Sequence, residues 1–479
     1  MESPQKVDLI VIGAGSGGIG ASAVANRFGL RVLLIDRKAL YFGGDCLNFG
    51  CVPSKALLHV ASLFQKAREA EAFGLQTSGK ADLSKVLQYI HERQNVIRAH
   101  EDPGHFRKEG MLVEVGEASF LDEKTVSVNG KQFTAPKIVL ATGSRPRSLR
   151  VPGAELPTLY TNETLFFDPP KLPDHLLVIG GGPIGCEMAQ AFRRLGSEVT
   201  IVQQGERLVD KELPEFSTIL QEQLEKEGIK ILLNCQLEKF ANAHTASLTQ
   251  GSKSFTQSFD AGLVAIGREI RTDTINLVTA GIELKDDKII ADEYYRTTNP
   301  RVYVVGDAYG EEQFSHGAEM HNRDLARNFI VPIFKKKHTL EHFSWVTFTD
   351  PEIATFGRGE DYLKKNQIDY VRVDQRFEED DRAIAADYRY ARLVLFLTKP
   401  KGLFRKQYLL GGSMIAPHAG ELIQELILAL QEGIEIGAIF NKIYPYPTMS
   451  RINQKAITGE RQKLLSDRLR NLLGWLYRH

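Results

Sequence analysis

The chain has 479 residues, of which 43% are hydrophobic, and its 60 basic and 60 acidic side chains cancel. This length exceeds one hydrophobic core and suits about three domains, while the balanced charge argues against a nucleic-acid-binding protein. Four cysteines are too few for a secreted disulfide scaffold, and no apolar run approaches a membrane span. Because no apolar leader precedes the first strand, we expect a cytoplasmic protein.

A first nucleotide-binding unit is predicted at the start of the chain. An apolar strand at residues 8–12 leads into a glycine-rich turn and a helix at residues 19–28, and the next strand, residues 31–35, runs into Asp36. Such a turn lets the backbone approach a pyrophosphate at a helix N-terminus, and the carboxylate accepts hydrogen bonds from a ribose. A glycine turn without a ligand is the alternative, but all parts follow in the order of the fingerprint. The turn contains Gly13, Gly15, Ser16, Gly17 and Gly18.

Two cysteines, Cys46 and Cys51, lie five residues apart in front of a predicted helix. A pair this close can switch between dithiol and disulfide, and the partial positive charge of a helix N-terminus favours a thiolate at Cys51. Structural zinc is the alternative, yet zinc takes four ligands and no second Cys or His pair is near in sequence. We therefore predict a redox pair and no metal site, and we interpret Cys186 and Cys235 as buried apolar residues.

The middle of the chain repeats the nucleotide-binding pattern. After a long polar helix predicted at residues 83–106 and a strand at 137–140, a second strand, glycine turn and helix occupy residues 176–195, and a strand at 198–202 leads into Gln203. Two such units imply two dinucleotides and a hydride passed between them. An uncharged amide neither requires a ribose 2′-hydroxyl nor attracts a 2′-phosphate, so NADH and NADPH both stay open. The second turn contains Gly180, Gly182, Pro183, Ile184 and Gly185.

From Phe343 the pattern changes, with strands predicted at residues 391–397 and 408–415 and helical periodicity at residues 419–430. The ordered set of motifs resembles the pyridine nucleotide-disulfide oxidoreductases, the family of dihydrolipoyl dehydrogenase, glutathione reductase and mercuric reductase. The resemblance covers nearly all of the chain, and its other motifs lie at residues 141–144, 265–268, 305–307 and 347–352.

The resemblance implies an α/β fold with two Rossmann-like dinucleotide-binding domains, for FAD and NAD(P)H, and a C-terminal α+β dimerisation domain that forms a homodimer. The implied domains are residues 1–150 (FAD-binding), 151–267 (NAD(P)-binding), 268–341 (a return to the FAD-binding domain) and 342–479 (dimerisation).

The resemblance also implies roles for single residues. Cys51 would lie against the flavin, and Cys46 would be the outer sulfur that meets the acceptor. Lys55 and Glu187 would form an ion pair beside the flavin and the nicotinamide, although without the resemblance each is an ordinary surface charge. His316 takes a flavin-adjacent position, and we assign it no proton transfer. Other residues implied to contact FAD or NAD(P)H, besides Lys55, Asp36, Gln203 and the two turns, are Gly44, Asp45, Ala118, Ala141, Thr142, Gly143, Gly267, Asp307, Phe314, Ser315 and Ala318.

The chain departs from the family near its C-terminal end. Disulfide reductases of the family carry a histidine and a glutamate that take and orient the proton of the outer thiol, whereas this chain has Tyr446 and Arg451. A phenol with a pKa near ~10 is a poor base at neutral pH, so we expect poor turnover of lipoamide or glutathione disulfide. Arg451 would bind an anionic acceptor or pair with a surface acid. Tyrosine at this position is similar to mercuric reductase, although the vicinal C-terminal cysteines of that enzyme and its N-terminal metal-binding domain are absent from this sequence.

We therefore predict an FAD-dependent NAD(P)H oxidoreductase, mercuric-reductase-like in its core. It would pass electrons through Cys46 and Cys51 to an unidentified acceptor, which is a metal ion, a quinone or a thiol/disulfide. Tyr446 of the partner subunit would act at this site. The alternatives are a dihydrolipoyl dehydrogenase with altered proton-transfer residues and, from another class, a redox-responsive binding protein without turnover.

The tail supports two further hypotheses. In residues 463–479, leucines recur at helical spacing among basic side chains: Leu465, Leu469, Leu472 and Leu476, with Trp475 and Tyr477 near the end. We favour packing of this stripe on the protein's own dimer, the ordinary pattern of a surface helix that faces a core. The alternative is contact with an anionic membrane surface, which would bring the flavin near a quinone.

Overall fold

The computed structural model of the protein describes residues 3–167, 171–273, 275–402, 405–463 and 467–479. The chain divides into two units. The first unit consists of Met1–Glu206 and Glu227–His338, and the second unit consists of Arg207–Lys226 and Thr339–His479.

A parallel five-stranded sheet lies in the first unit. Alternate residues face its two sides, so that Ile10 belongs to one buried apolar cluster and Val11 to another. Because both faces are covered, the strands are continuously apolar. Ligands of such sheets bind beyond the carboxyl ends of the strands, which is where Gly13 and Asp36 lie. In spatial order the strands are Val302–Val304, Lys137–Leu140, Leu9–Ile12, Val32–Asp36 and Leu112–Val115.

A second parallel sheet of five strands repeats this arrangement in the first unit. Its residue Leu177 shares an apolar cluster with Cys235 and Phe240 of an antiparallel three-stranded sheet. Cys235 and Cys186 are both buried, which confirms their interpretation as apolar residues. The five strands are Leu159–Tyr160, Ala261–Val264, His175–Ile179, Glu198–Val202 and Lys230–Leu232, and the three are Cys235–Asn242, Thr245–Gln250 and Lys253–Ser258.

The first unit also contains smaller sheets and eight helices among its described residues. A four-stranded sheet has the order Gln5–Lys6, Lys131–Thr134, Thr125–Val128 and Ala118–Phe120, and two strand pairs join Ser144–Pro146 to Arg268–Ile270 and Leu284–Lys285 to Lys288–Ile289. The helices are Ser16–Arg27, Gly44–Asn48, Cys51–Glu69, Leu83–Arg98, Pro103–Lys108, Asn162–Leu165, Pro183–Leu195 and Ser315–Ile330, with 3₁₀ turns at Ala39–Tyr41, Ala70–Phe73 and Gly306–Tyr309.

The single helix predicted at residues 83–106 is wrong, because two helices, Leu83–Arg98 and Pro103–Lys108, occupy this stretch. Asp102 caps the second helix by accepting the backbone N–H of His105 at 2.8 Å. Its proline stands at the first helical position, where the missing N–H is not needed. In one continuous helix the same proline would remove an internal hydrogen bond.

The second unit contains an antiparallel five-stranded sheet, and Phe356, Leu395 and Met414 of this sheet belong to its apolar core. The strands predicted at 391–397 and 408–415 are confirmed within one residue, whereas the helical stretch at 419–430 consists of two helices. In spatial order the strands are Ser344–Thr347, Glu352–Gly357, Leu409–Ala416, Arg392–Thr398 and Tyr370–Arg376. The helices are Pro214–Lys226, Glu360–Lys365, Asp381–Ala385, Ala419–Leu422, Gln424–Gln431, Gly437–Asn441, Arg451–Lys463 and Asp467–Arg478.

The last of these helices leaves its described apolar side chains open to solvent. Leu472, Trp475 and Leu476 are each about half exposed. Leu465 lies outside the described residues, as does the side chain of Leu469. Among the described residues, no helix has both the length and the apolar composition that crossing a bilayer requires.

Candidate active site

The first glycine turn follows the central strand of the first sheet, and its backbone packs closely against other backbone atoms. Gly13 has φ +106°, and a Cβ there would lie 2.2 Å from the carbonyl oxygen of Ala141, while a Cβ on Gly18 would lie 1.7 Å from the carbonyl oxygen of Gly13. Only glycine fits these positions. Asp36 accepts the backbone N–H of Ala14 at 2.8 Å, and burial raises the pKa of this carboxyl above its ordinary value. The cradle is therefore of the kind that takes a dinucleotide pyrophosphate at a helix N-terminus.

The second glycine turn has nearly the same geometry. Gly180 has φ +108° and a Cβ there would lie 2.4 Å from the carbonyl oxygen of Ala265, while a Cβ on Gly185 would lie 2.0 Å from the carbonyl oxygen of Gly180. Gln203 Oε1 accepts the backbone N–H of Gly181 at 2.9 Å. This amide therefore makes the hydrogen bond that the acid makes in the first turn, and the second cradle also fits a dinucleotide. Gly182, Pro183 and Ile184 complete this turn and begin its helix.

The two predicted redox cysteines lie beside each other. Cys46 belongs to the short helix Gly44–Asn48, and Cys51 is the first residue of the helix Cys51–Glu69, here called the redox helix. Both are free thiols. Cys51 Sγ lies 3.4 Å from Ser315 Oγ.

The two thiols differ in pKa. The hydrogen bond from Cys46, then that from Ser315 and the charge of Lys55, lower the pKa of Cys51 to about 6, against burial and the charge of Asp45, which raise it. The same sulfur–sulfur hydrogen bond and burial raise the pKa of Cys46. At neutral pH Cys51 is therefore the thiolate and Cys46 the thiol that donates to it.

The redox helix also carries Lys55, whose ammonium lies 2.8 Å from a carboxylate oxygen of Glu187. Glu187 belongs to the helix that follows the second glycine turn, and its side chain is only 6% exposed. Because a buried carboxylate is stable only with a partner, this ion pair fixes the redox helix against the second nucleotide-binding turn.

Arg268, whose side chain is 10% exposed, joins two acids that lie far apart in the sequence. Arg268 donates to Asp45 at 3.0 Å and to Ser144 at 2.7 Å, and the Ser144 hydroxyl donates in turn to Asp307. Burial raises the pKa of Asp307, while Ser144 and Arg268 oppose this shift. The sequence analysis missed Arg268 as a site residue, although it ends the motif at residues 265–268.

The other residues implied to contact the cofactors lie on or next to strands and helices of the first unit. Thr142 donates a hydrogen bond to the carbonyl of Arg271, and the ring of His316 lies 5.3 Å from that of Phe314. Ala118 begins a strand and is buried, Ala141, Thr142 and Gly143 follow the strand Lys137–Leu140, Gly267 precedes Arg268 with φ +103°, and Phe314, Ser315, His316 and Ala318 cap or begin the helix Ser315–Ile330.

Tyr446 lies in the second unit, where its hydroxyl donates to Asp381 at 2.8 Å. The hydrogen bond to Asp381 and the negative charge of that carboxylate raise the pKa of Tyr446. The guanidinium carbon of Arg451 lies 5.1 Å from the centre of the Tyr446 ring. The phenol is therefore protonated at neutral pH, and Asp381 is a neighbour that the sequence analysis missed.

A buried cluster of Glu312, His321 and His338 also escaped the sequence analysis, because no short spacing joins these residues. His321 Nδ1 accepts the N–H of Gly306 at 3.0 Å, and its Nε2 lies 3.1 Å from Glu312, whose other oxygen lies 3.2 Å from His338. Burial raises the pKa of Glu312, but hydrogen bonds from the two histidines lower it to about 2 overall.

One potential ligand atom from each of Glu312, His321 and His338 lies within 4.8 Å of the others. A metal ion on Nε2 of a neutral His321 would require a proton on Nδ1, which would face the N–H of Gly306. We therefore interpret this cluster as a hydrogen-bonded support for Gly306, the residue before Asp307.

Comparison with known proteins places this geometry among known folds. Residues 7–322 match the family model "Pyridine nucleotide-disulphide oxidoreductase", and residues 343–457 match its dimerisation domain. The chain is 32% identical over 449 residues to a mercuric reductase of Staphylococcus aureus, covering 92% of this chain and 80% of that protein. It is 32% identical over 458 residues to a dihydrolipoyl dehydrogenase of Mycoplasma genitalium, covering 93% and 96%.

Among solved structures, the Cu(II) complex of the HOCl-induced flavoprotein disulfide reductase RclA from Escherichia coli is similar in fold. Its TM-score is 0.81 at 23% identity, and the similarity covers 95% of this chain and 99% of that one.

Proposed function

Because the chain belongs to the pyridine nucleotide-disulphide oxidoreductases, enzymes that use FAD and NAD(P)H, we propose that it transfers electrons from NAD(P)H through the Cys46/Cys51 pair to a soft metal ion. The observation that carries the proposal is the pair of free thiols at the start of the redox helix, where Cys51 Sγ lies 3.4 Å from Ser315 Oγ.

We assign one cofactor to each of the two glycine turns. The turn at Gly13 and Asp36 would hold FAD, and the turn at Gly180 and Gln203 would hold NAD(P)H. When bound, these cofactors supply two-electron transfer from the nicotinamide to the cysteine pair. Lys55, paired with Glu187, places a positive charge on the redox helix, where it favours negative charge that develops nearby.

The chain's own residues then prepare the pair for an acceptor. Ser315 and Lys55 stabilise the Cys51 thiolate, so the inner sulfur needs no base at neutral pH. Cys46 keeps its proton until an acceptor arrives. A thiophilic ion can displace this proton to water on binding, whereas reduction of a disulfide substrate needs a group that holds and returns it.

The second unit supports this choice of acceptor. Its dimerisation domain belongs to the family, and we infer a homodimer in which Tyr446 of the partner subunit approaches Cys46. Because Asp381 raises the pKa of Tyr446, the phenol stays protonated at neutral pH and does not accept the proton of the outer thiol. The site therefore suits reduction of a metal ion better than reduction of a disulfide. Relatives named mercuric reductase at 31–32% identity favour the same class.

The test is steady-state oxidation of NADH and NADPH with a panel of acceptors. We expect turnover with Hg²⁺ in the presence of excess thiol and little with lipoamide or glutathione disulfide. Turnover only with a quinone would refute the metal acceptor, and no turnover with any acceptor would favour the redox-responsive binding protein. Cys46→Ala is the control that should lose acceptor reduction while retaining flavin.

Dihydrolipoyl dehydrogenase is the second candidate, favoured by relatives of that name at 30–32% identity. Replacing Tyr446 with His together with Arg451 with Glu restores the family's proton-transfer pair. If the metal proposal is right, this double variant should gain lipoamide turnover by about 10²- to 10⁴-fold. High lipoamide activity in the parent, unchanged in the double variant, would favour the second candidate.

A further inference from the structure

A loop after the helix Ser315–Ile330 presents consecutive apolar side chains to solvent. Here residues 330–337, from the last residue of this helix onward, are called the apolar loop. Ile333 is 85% exposed and Phe334 is 72% exposed, more than most large apolar side chains of the described chain. Ile330 and Val331 beside them are also exposed. Apolar side chains exposed next to one another, unlike single ones, indicate a surface that binds something.

The apolar loop is held in place by a buried side chain. Asn328, which is 5% exposed, donates from Nδ2 to the carbonyl of Lys336 at 2.9 Å and accepts the N–H of the same residue at 2.7 Å. A turn within the loop closes with the N–H of Phe334 on the carbonyl of Val331. The neck of the loop is therefore clamped, and its tip with Ile333 is presented to solvent in a fixed form.

Basic side chains border this tip. Lys336 and Lys337 form ion pairs with Asp324 and Glu293. No carboxylate of the described residues forms an ion pair with Lys335. The ammonium of Lys335 lies 5.4 Å from the centre of the Tyr294 ring. The surface beside the apolar tip thus carries uncompensated positive charge.

The apolar loop also lies outside the two segments that the family models match. The family models match residues 7–322 and 343–457, so residues 330–337 belong to neither.

We propose that the apolar loop binds the surface of an anionic lipid bilayer. Ile333 and Phe334 enter the boundary between headgroups and acyl chains, and Lys335 contacts anionic headgroups, as in other proteins that lie on membranes without crossing them. The clamp by Asn328 lowers the ordering entropy that insertion would otherwise require. This proposal does not depend on the acceptor.

The experiment is co-sedimentation of the flavin-loaded protein with vesicles of phosphatidylglycerol and phosphatidylcholine, and with phosphatidylcholine alone. We expect binding to the anionic vesicles that weakens with added salt. Ile333→Ser with Phe334→Ser should lower the bound fraction by about tenfold or more, and Lys335→Glu should remove most of the salt-dependent part. Val278→Ser is the matched control, because Val278 is 84% exposed in the same unit without neighbouring lysines in sequence.

Phe334→Trp places a fluorescent side chain at the tip of the apolar loop and so reports directly on its insertion into a bilayer, without any loss of binding. Its fluorescence should shift to shorter wavelength on addition of anionic vesicles, relative to the parent with its two tryptophans. An unshifted spectrum would overturn the proposal. So would binding that survives the loop variants but disappears on deletion of residues 467–479, or loop variants that turn a dimer into a monomer in light scattering.

Discussion

The hydrogen bond from Cys46 is the largest cause that lowers the pKa of Cys51 from 9.0 to about 6. At pH 7 this pKa makes ~90% of Cys51 thiolate, against ~1% at the ordinary value. Replacing Cys46 with Ala removes the donor, whereas Cys46→Ser keeps an O–H donor in its place. Both variants leave Cys51 as a free thiol without added reductant, so they form a matched pair.

The expected size of the effect follows from the geometry. A hydrogen bond to a charged group contributes about 1.5–3 kcal/mol, and one pH unit corresponds to about 1.4 kcal/mol. Because Cys51 is exposed to solvent, we expect the lower end. The thiolate midpoint should lie near 6 in Cys46→Ser and about one pH unit higher in Cys46→Ala.

The assay is a pH titration of the long-wavelength absorbance that the Cys51 thiolate forms with oxidised flavin, checked by the alkylation rate of Cys51. In each variant the band is lost as pH falls through the midpoint, because the thiol proton returns. Cys51→Ser is the control and should show no band. Equal midpoints in the Ala and Ser variants would refute the sulfur–sulfur hydrogen bond as the cause and point to Lys55 and the helix N-terminus instead.

Three further predictions concern stability, cofactor binding and assembly. Lys55→Met leaves Glu187 buried without its lysine and should lower the free energy of unfolding in urea titrations. Because Lys55 is partly exposed, we expect a loss of about 1–3 kcal/mol. Lys55→Met with Glu187→Gln should recover part of this loss, and a single variant as stable as the parent would contradict the role of the ion pair. Gly18→Ala forces a Cβ into a carbonyl oxygen and should give protein without flavin, whereas Gly459→Ala, where a Cβ meets nothing within 4 Å, should purify with normal flavin content. Light scattering on dilution should show a dimer throughout, and a fully active monomer would contradict the proposed role of Tyr446.

The nucleotide-binding turns could be predicted from the sequence because their physics is local. A strand, a glycine where φ is positive or a Cβ cannot fit, a helix and a polar side chain at the next strand end lie within about thirty residues. Asp36 and Gln203 indeed accept a backbone N–H from their turns in the same way. The short redox segment is local too, because Cys46 and Cys51 are joined by four residues and one helix start.

Local signals were also misread. Asp102 before Pro103 is a helix-start pattern, and applying it would have split the helix predicted at residues 83–106.

The contacts between distant side chains of the site were decided only by the tertiary structure. Lys55 meets Glu187 across 132 residues of sequence, and Ser315 meets Cys51 across 264. Composition and periodicity predict which side of a helix or strand is buried, but they do not predict which two buried sides pack against each other. Such contacts form only when segments far apart in the sequence pack together in the fold. They then determine the burial, the neighbouring charges and the hydrogen bonds of each titratable side chain. The sequence by itself therefore determined the two nucleotide-binding cradles and the thiol pair with Cys51 at a helix start, while the packing of distant helices brought Ser315 to Cys51 and Glu187 to Lys55.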